Sequence, residues 1–116
     1  SKARCTRVAL AGSGVSRGRK NSSFARVACN SLRCLQCNFK VLCFAGSSWD
    51  ASCDYMFLRN TVPNEIKLAQ KLNASPAACA YCCQCSHVTV TGADEVMELG
   101  VQQRGSKDPQ WTCAGH

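Results

Sequence analysis

Residues 31–41 have the sequence SLRCLQCNFKV, which places Cys34 and Cys37 two residues apart, directly before an apolar, strand-like run. Pairs with this spacing occur in metal sites, in redox-active dithiols and in disulfide frameworks. These alternatives predict different proteins, so the rest of the chain has to distinguish them.

The cysteine content is unusually high, with eleven cysteines in 116 residues. In a secreted chain this composition would predict disulfides. The odd count and the chelating spacings favour metal binding in a reducing compartment instead. A structural zinc site contributes roughly 10 kcal/mol or more to folding, which would help a loop-rich chain with only four Phe, two Trp and two Tyr.

Three pairs have spacings at which two side chains can bind one metal ion: Cys34-x-x-Cys37, Cys83-x-Cys85 and Cys113-x-x-His116. Tetrahedral zinc takes four ligands, often as two close pairs distant in sequence. Two pairs would complete one site, and all three would supply two sites if two further cysteines contributed. The candidates for that role are Cys5, Cys29 and Cys53. The sequence therefore predicts one or two Zn²⁺ ions. The remaining cysteines are interpreted as small buried side chains: Cys43, Cys79 and Cys82.

The redox interpretation is weaker, because a reactive dithiol usually lies at a helix N-terminus, whereas NFKV after Cys37 is a strand pattern. Cys–His catalysis has little support, since the two histidines, His87 and His116, each lie within a cysteine cluster. We identify no paired carboxylates, phosphate-binding loop or Ser/His/Asp arrangement. We therefore predict that the protein is not an enzyme.

The positive charge is concentrated at one end. Residues 1–40 contain nine of the fourteen Lys and Arg residues and none of the seven Asp and Glu residues. Such a run is most often a solvated surface or a flexible arm. The functional interpretation is a surface for an anionic partner: phospholipid headgroups, nucleic acid or an acidic protein tail. The candidate contacts are Arg4, Arg7, Arg17, Arg19, Lys20 and Arg26.

The length predicts a single folded unit. Residues 1–28 are predicted to be a basic, Gly/Ser/Arg-rich segment that is partly flexible, and residues 29–116 a cysteine-rich, zinc-binding domain. No apolar run approaches the roughly 18 residues needed to cross a membrane. The chain begins at Ser1 rather than Met, as expected for an excised domain or a processed product.

The predicted fold class is α+β: a small antiparallel sheet with two helices, rich in cysteine and stabilised by zinc. Asp50 is predicted to cap a first helix over residues 50–59, and Pro63 to begin a second helix that ends near residue 73. An Ala/Pro loop follows the second helix.

Strands are predicted at residues 7–10, 38–44, 81–91 and 110–116. On the third strand, Cys83 and Cys85 would point to the same face, so that both sulfurs could bind one ion.

Four segments, ACNSLRCLQCNFKV, WDASCDYMFLRN, YCCQCS and WTCAGH, together resemble the C-terminal domain of the cilia- and flagella-associated protein 418 family, also called the retinal maintenance domain. The resemblance runs from about Cys5 to His116, and WD-x-SCDY-x-F-x-RN is its most distinctive block. The matching positions are Cys5, Cys29, Cys34, Cys37, Trp49, Asp50, Cys53, Asp54, Tyr55, Arg59, Asn60, Cys83, Cys85, Trp111, Cys113 and His116. Cys43, Cys79 and Cys82 have no counterpart in the family pattern.

The resemblance implies a protein of cilia, flagella and basal bodies that supports photoreceptor maintenance and outer-segment membrane organisation. The resemblance implies no enzymatic activity. It implies association with ciliary scaffold proteins and anionic phospholipids at the cytoplasmic base of the cilium, and a longer N-terminal region ahead of Ser1. The leading prediction is therefore a non-catalytic, zinc-stabilised interaction module.

The alternative function is a zinc-ribbon-like nucleic-acid-binding module. Net charge favours this alternative, but the basic third of the chain has only Phe24 and Phe39 as stacking aromatics and no recognisable readout motif.

Six matching residues are predicted to have structural roles: Trp49, Asp50, Asp54, Tyr55, Arg59 and Trp111. Arg59 follows Tyr55 by four residues, so we expect it to stack on that ring in a partly buried position. Chain ends usually fray, yet this one carries two good zinc ligands. We therefore expect Cys113 and His116 to bind metal, with Trp111 folded over the core.

Overall fold

The computed structural model of the protein describes residues 3–5, 7–19, 21–22, 24–99 and 109–116. Within these ranges the strands are β1 (Ala9–Ala11), β2 (Ser16–Arg17), β3 (Val27–Ala28), β4 (Leu32–Cys34), β5 (Leu42–Trp49), β6 (Leu72–Cys82), β7 (His87–Val90), β8 (Val96–Glu98) and β9 (Trp111–Cys113). The helices are α1 (Tyr55–Thr61) and α2 (Glu65–Leu68), and a 3₁₀ turn (Ala69–Lys71) follows α2. No helix in this part of the chain has the length and hydropathy of a membrane-spanning segment.

The strands of the described ranges form four small sheets. β5, β6 and β7 form a three-stranded antiparallel sheet, β1 pairs with β8, and β4 pairs with β9, both antiparallel. β2 and β3 are parallel. The predicted antiparallel pairing with two helices is thus confirmed in outline, but the single sheet is wrong. The strands outside the three-stranded sheet are only two or three residues long, too short to extend one continuous ladder.

Strand β6 separates two hydrophobic clusters, because successive side chains of a strand point to opposite faces. Tyr81 faces the cluster that also contains Trp111. Ala80 faces the cluster that contains Leu58 and Leu68 from the two helices. Burying each large apolar side chain stabilises the fold by about 1.5–3 kcal/mol, so both faces of β6 contribute to stability.

The N-cap of α1 is Asp54 rather than the predicted Asp50. Asp54 has an extended backbone, and its carboxylate accepts the Phe57 N–H at 2.8 Å, which satisfies a donor that a helix start leaves unpaired. Asp50 lies one turn earlier, where its carboxylate accepts the Ser52 hydroxyl at 2.6 Å and the Asn73 amide at 3.2 Å. The hydrogen bonds from Ser52 lower the pKa of Asp50 to about 2.

The second helix is shorter than predicted. It ends at Leu68, and after the 3₁₀ turn the chain enters β6 at Leu72. The Asn64 side chain caps α2 by accepting the Lys67 N–H at 3.1 Å. Pro63 therefore precedes the cap instead of occupying the first turn, and the peptide bond before it is cis.

The segment predicted as an Ala/Pro loop belongs to β6, where residues 72–74 pair with the end of β5. This tertiary pairing overrides the weak strand propensity of Asn, Ala, Ser and Pro.

The strand predicted over residues 81–91 is divided into the end of β6, a turn that contains Cys83 and Cys85, and β7. The two cysteines therefore lie in a turn, not on a strand.

Part of the basic segment over residues 1–28 lies in the protein interior. Ala9, Leu10 and Ala11 are fully buried in β1, and the Ala9 carbonyl accepts the Cys29 N–H at 3.1 Å. β1 thus connects this segment to the cysteine-rich remainder of the chain.

Two candidate metal centres

Four cysteines converge to form the first candidate centre, here called the tetracysteine set: Cys34, Cys37, Cys83 and Cys85. Their sulfurs all lie within 4.8 Å of one another. The Cys85 sulfur is 3.6 Å from the sulfurs of both Cys34 and Cys83. A tetrahedral zinc with Zn–S bonds of about 2.3 Å holds its sulfurs about 3.8 Å apart, so the spacing fits a zinc site.

The turn after β4 shapes one half of this set. Asn38 follows Cys37 with φ 64°, in the left-handed region that Asn tolerates better than most residues. The turn directs the N–H groups of Gln36 and Cys37 at the Cys34 sulfur, at 3.3 and 3.4 Å. Such N–H donors stabilise negative charge on the sulfur, as a thiolate ligand requires.

The other half lies in the turn between β6 and β7. The Cys83 N–H donates to the Ser86 carbonyl at 3.0 Å, which closes the turn. The Cys83 sulfur accepts the indole N–H of Trp111 at 3.2 Å. Both residues are at most 1% exposed, so this hydrogen bond is shielded from water.

The thiols of the set differ in acidity. Burial opposes ionisation of Cys37, but hydrogen bonds from the backbone of Phe39 and Gln84 outweigh it and lower the pKa of Cys37 to about 7. Burial raises the pKa of Cys83 and of Cys85. The Cys37 thiol is thus the easiest of the three to deprotonate, whereas Cys83 and Cys85 need a bound cation to lose their protons.

The second candidate centre, here called the terminal set, joins the two ends of the described chain: Cys5, Cys29, Cys113 and His116. The His116 Nε2 atom is 3.4 Å from the Cys5 sulfur and 3.6 Å from the Cys29 sulfur. Tetrahedral zinc with bonds of about 2.3 Å to sulfur and 2.0–2.1 Å to nitrogen separates these atoms by about 3.6 Å. The geometry of this set also fits zinc.

Backbone hydrogen bonds hold the last residues in place. The Cys113 sulfur accepts the N–H groups of Cys5 and Gly115, each at 3.4 Å. The His116 N–H donates to the Ala3 carbonyl at 2.7 Å. Although burial opposes ionisation, the two N–H groups lower the pKa of Cys113, whereas burial raises the pKa of Cys29.

The two sets account for all three predicted pairs and for two of the three further candidates. Cys34–Cys37 meets Cys83–Cys85, and Cys113–His116 meets Cys5 and Cys29. The remaining candidate, Cys53, lies in neither set among the described residues. It is 6% exposed in the cluster beside the helices.

The cysteines interpreted as small buried side chains lie outside both sets. Cys79 and Cys82 are fully buried, as predicted. Cys43 is exposed, so its predicted burial is wrong. No disulfide bond joins the cysteines of the described ranges.

The predicted anionic-partner residues occupy different environments. Arg4, Arg7, Arg19 and Arg26 are exposed. Arg7 lies 3.6 Å from Glu98, and Arg26 donates to the Asp94 carbonyl. The Arg19 Nε–H donates to the Arg4 carbonyl at 3.4 Å, which holds these two arginines close together. The remaining candidate, Lys20, lies outside the described residues.

Arg17 differs from these exposed arginines because its side chain is partly buried and its guanidinium is hydrogen-bonded within the fold. It donates to the Tyr81 hydroxyl and, at 3.2 Å each, to the carbonyls of Ala11 and Gly12. Its charge lies 5.6 Å from the centroid of the Tyr81 ring. A guanidinium with these partners stabilises the contact between β2 and β6.

Among the predicted structural residues, the two tryptophans are buried. Trp111 is 1% exposed, as expected, and Trp49 donates its indole N–H to the Tyr81 carbonyl at 2.9 Å. Arg59 donates to the Tyr55 hydroxyl at 2.8 Å. Both side chains are exposed, so the predicted partial burial of Arg59 is wrong.

Comparison with known proteins gives one family and several relatives. The family described as Retinal Maintenance (RMP) matches residues 1–116. Cilia- and flagella-associated protein 418 of Danio rerio is 38% identical over 115 residues, which cover 97% of this chain and 52% of that protein. The proteins of the same name from Homo sapiens and Mus musculus are each 38% identical over 112 residues, 97% of this chain and 50% of the relative.

The chain thus spans about half the length of these relatives. No solved structure matches it. The family match covers both candidate metal centres and confirms the resemblance carried by the sequence motifs. The chain belongs to the retinal maintenance family over its whole length.

Proposed function

We propose that the domain binds two Zn²⁺ ions, one in the tetracysteine set and one in the terminal set. The observation that carries this proposal is the convergence of eight side chains, from distant parts of the chain, into two groups of four. Four sulfurs, or three sulfurs and one imidazole nitrogen, are the ligands that structural zinc takes.

The proposed role of the metal is structural. Each set already supplies four protein ligands, so a bound zinc would have no open position for water or substrate, as a catalytic zinc needs. Zinc would instead stabilise the fold of a domain whose short strands bury little surface on their own. We therefore propose a non-catalytic domain.

The proposed cellular role follows from the relatives, which are named cilia- and flagella-associated, and from the family description, retinal maintenance. We propose that this protein acts in the cytoplasm at the base of a cilium or flagellum, including the basal body. There it would bind ciliary scaffold proteins and support the organisation of cilium and photoreceptor membranes.

The surface proposed to contact an anionic partner contains Arg4, Arg19 and Arg26, whose side chains are exposed. Phe24 lies in the same segment and is 93% exposed. Exposed arginines in the same segment as an exposed aromatic ring suit the interface of an anionic bilayer, where such a ring enters the headgroup region. Anionic phospholipid is therefore the proposed ligand, with acidic protein tails as a second class.

X-ray absorption at the zinc edge tests the metal proposal. The loaded wild-type protein should show sulfur near 2.3 Å and a minor nitrogen contribution near 2.0 Å. Cys5→Ser should leave a purely sulfur site, whereas Cys37→Ser should increase the nitrogen share. Cys43→Ser, which lies outside both sets, is the matched control and should change nothing. An unchanged spectrum in all three variants would contradict the assigned ligands.

Vesicle co-sedimentation tests the anionic surface. Replacing Arg4, Arg19 and Arg26 together by Ala should weaken binding to phosphatidylserine vesicles, and binding should fall with salt. The matched control removes three exposed charges elsewhere, at Lys40, Arg59 and Lys67. Equal losses for both triple variants would show non-specific attraction. Tighter binding to single-stranded RNA than to vesicles would favour the nucleic-acid alternative.

A further inference from the structure

We propose that zinc binding at the tetracysteine set and zinc binding at the terminal set are energetically coupled, and that Trp111 is the positioning residue that couples them. This inference rests on the two zinc sites proposed above. It adds that each ion strengthens binding of the other.

The first observation is that one pair of strands carries a ligand of each set. In the ladder of β4 and β9, Cys34 is opposite Trp111 and Leu32 is opposite Cys113. Cys34 belongs to the tetracysteine set and Cys113 to the terminal set. Further backbone hydrogen bonds continue the pairing at both ends, from Leu35 to Gln110 at 2.7 Å and from Ala114 to Ser31 at 2.6 Å. The two sets therefore share one pair of strands.

The second observation is the contact of Trp111 with the tetracysteine set. Its indole N–H donates to the Cys83 sulfur at 3.2 Å. The centroid of its ring lies 6.4 Å from the centroid of the Tyr81 ring. A metal-bound thiolate accepts a hydrogen bond more strongly than a neutral thiol does. Metal in the tetracysteine set would thus fix Trp111, and with it β9.

The third observation concerns the terminal set, whose ligands depend on β9 for their placement. Cys113 lies two residues after Trp111 on the same face of the strand, and the chain reaches His116 directly from it. When β9 is fixed, Cys113 and His116 are already near Cys29, so less ordering entropy is lost on metal binding. Coupling in binding is reciprocal, so metal in the terminal set must strengthen the tetracysteine set by the same factor.

Cobalt(II) titration of the reduced, metal-free protein measures this coupling, because four-sulfur and three-sulfur, one-nitrogen sites give distinct ligand-field bands. We expect the terminal site to bind Co²⁺ at least about fivefold more weakly in Cys37→Ser than in the wild type, within the range usual for coupled sites. The tetracysteine site should weaken by the same factor in Cys5→Ser. In a Trp111→Phe background, both factors should fall below about twofold.

Trp49→Phe is the matched control. Trp49 also donates a buried indole N–H, to the Tyr81 carbonyl, but contacts neither set among the described groups. If coupling arose only from general stability, both Trp→Phe variants would reduce it equally. That result, or unchanged coupling in Trp111→Phe, would overturn the role of Trp111.

A second measurement uses the loaded proteins and does not depend on a variant that lacks a ligand. Excess chelator should remove both zinc ions from the wild type and from Trp49→Phe in one kinetic phase, and from Trp111→Phe in two. Two independent phases in the wild type would overturn the coupling and leave the two zinc sites intact. A wild-type protein that binds neither Co²⁺ nor Zn²⁺ would instead overturn the proposed function.

Discussion

Gly115 lies between the candidate ligands Cys113 and His116, and its φ of 100° is in a region that residues with a Cβ rarely adopt. Its N–H donates to the Cys113 sulfur at 3.4 Å, and its carbonyl accepts the Ser31 hydroxyl at 2.8 Å. Glycine thus allows the chain to turn His116 back toward Cys113.

We predict that Gly115→Ala lowers the free energy of unfolding of the zinc-loaded protein by about 1–3 kcal/mol, the usual cost of a strained backbone conformation. Gly115→Asn should cost less, because Asn tolerates positive φ better than Ala does. Thermal denaturation in the presence of zinc checks this order. Equal midpoints for Ala, Asn and the wild type would show that the turn is not fixed as described.

Gly12 is required for a different reason, the close approach of two backbone segments. A Cβ added there would lie 1.8 Å from the Gly92 carbonyl oxygen and 2.9 Å from the Ala77 carbonyl oxygen. Because backbone atoms cannot rotate away, Gly12→Ala should lower the free energy of unfolding by about 1–3 kcal/mol or more.

Ser13→Ala is the control for that change, since it removes an exposed hydroxyl hydrogen bond to the Pro76 carbonyl without a clash. Its expected cost is about 1 kcal/mol or less. Urea denaturation compares the two variants, and equal losses would contradict the close approach at Gly12.

The sequence was sufficient to predict the three pairs that fall in the two candidate centres, because the spacing within each pair is local. It could not choose Cys5 and Cys29 over Cys53, because that choice depends on long-range contacts. Cys5 meets His116 across 111 residues of chain, and no local pattern reports such a contact. Asn tolerates the left-handed conformation better than most residues, and Asn38 adopts it directly after Cys37. The Asn at this position is therefore a sequence signal that could have strengthened the prediction of a metal-binding turn at Cys34 and Cys37.

At the scale of elements, the cap of α1 sets where the helix begins. Asp50 and Asp54 both precede the helical segment, and only the contacts of the folded chain show that Asp54 accepts the Phe57 N–H.

The second helix and β6 were mispredicted for a related reason. Pairing with β5 draws residues from Leu72 onward into a sheet despite their weak strand propensity.

We predict that Asp54→Ala lowers the free energy of unfolding by about 1 kcal/mol through loss of the N-cap. Asp54→Asn should retain most of that stability, since Asn is an equally good cap. Urea denaturation at constant zinc measures both. A loss of equal size in both variants would show that the negative charge, and not the cap, is what matters.

In the whole molecule, the two candidate metal centres lie on one side of β6. Cys29, Cys34, Cys83 and Cys113 belong to the cluster around Trp111, whereas the helices pack in the other cluster. Metal removal should therefore destabilise the cluster around Trp111 more than the cluster that contains the helices.

We predict that chelation of zinc accelerates amide exchange in β4 and β9 first, while the central pairing of β5 with β6 keeps more of its protection. Local openings of this kind follow the boundaries of cooperative units. Hydrogen exchange read by mass spectrometry, with zinc-saturated protein as the reference, checks this pattern. Uniform loss of protection would show that the clusters unfold as one unit.

We expect the chain to fold around two zinc ions. Native mass spectrometry of protein purified without chelator counts them, by comparing the mass of the folded chain with that of the denatured chain. We predict a difference equal to two zinc ions less the protons that the ligands release. A folded chain without metal, whose cysteines are joined in disulfides, would contradict it.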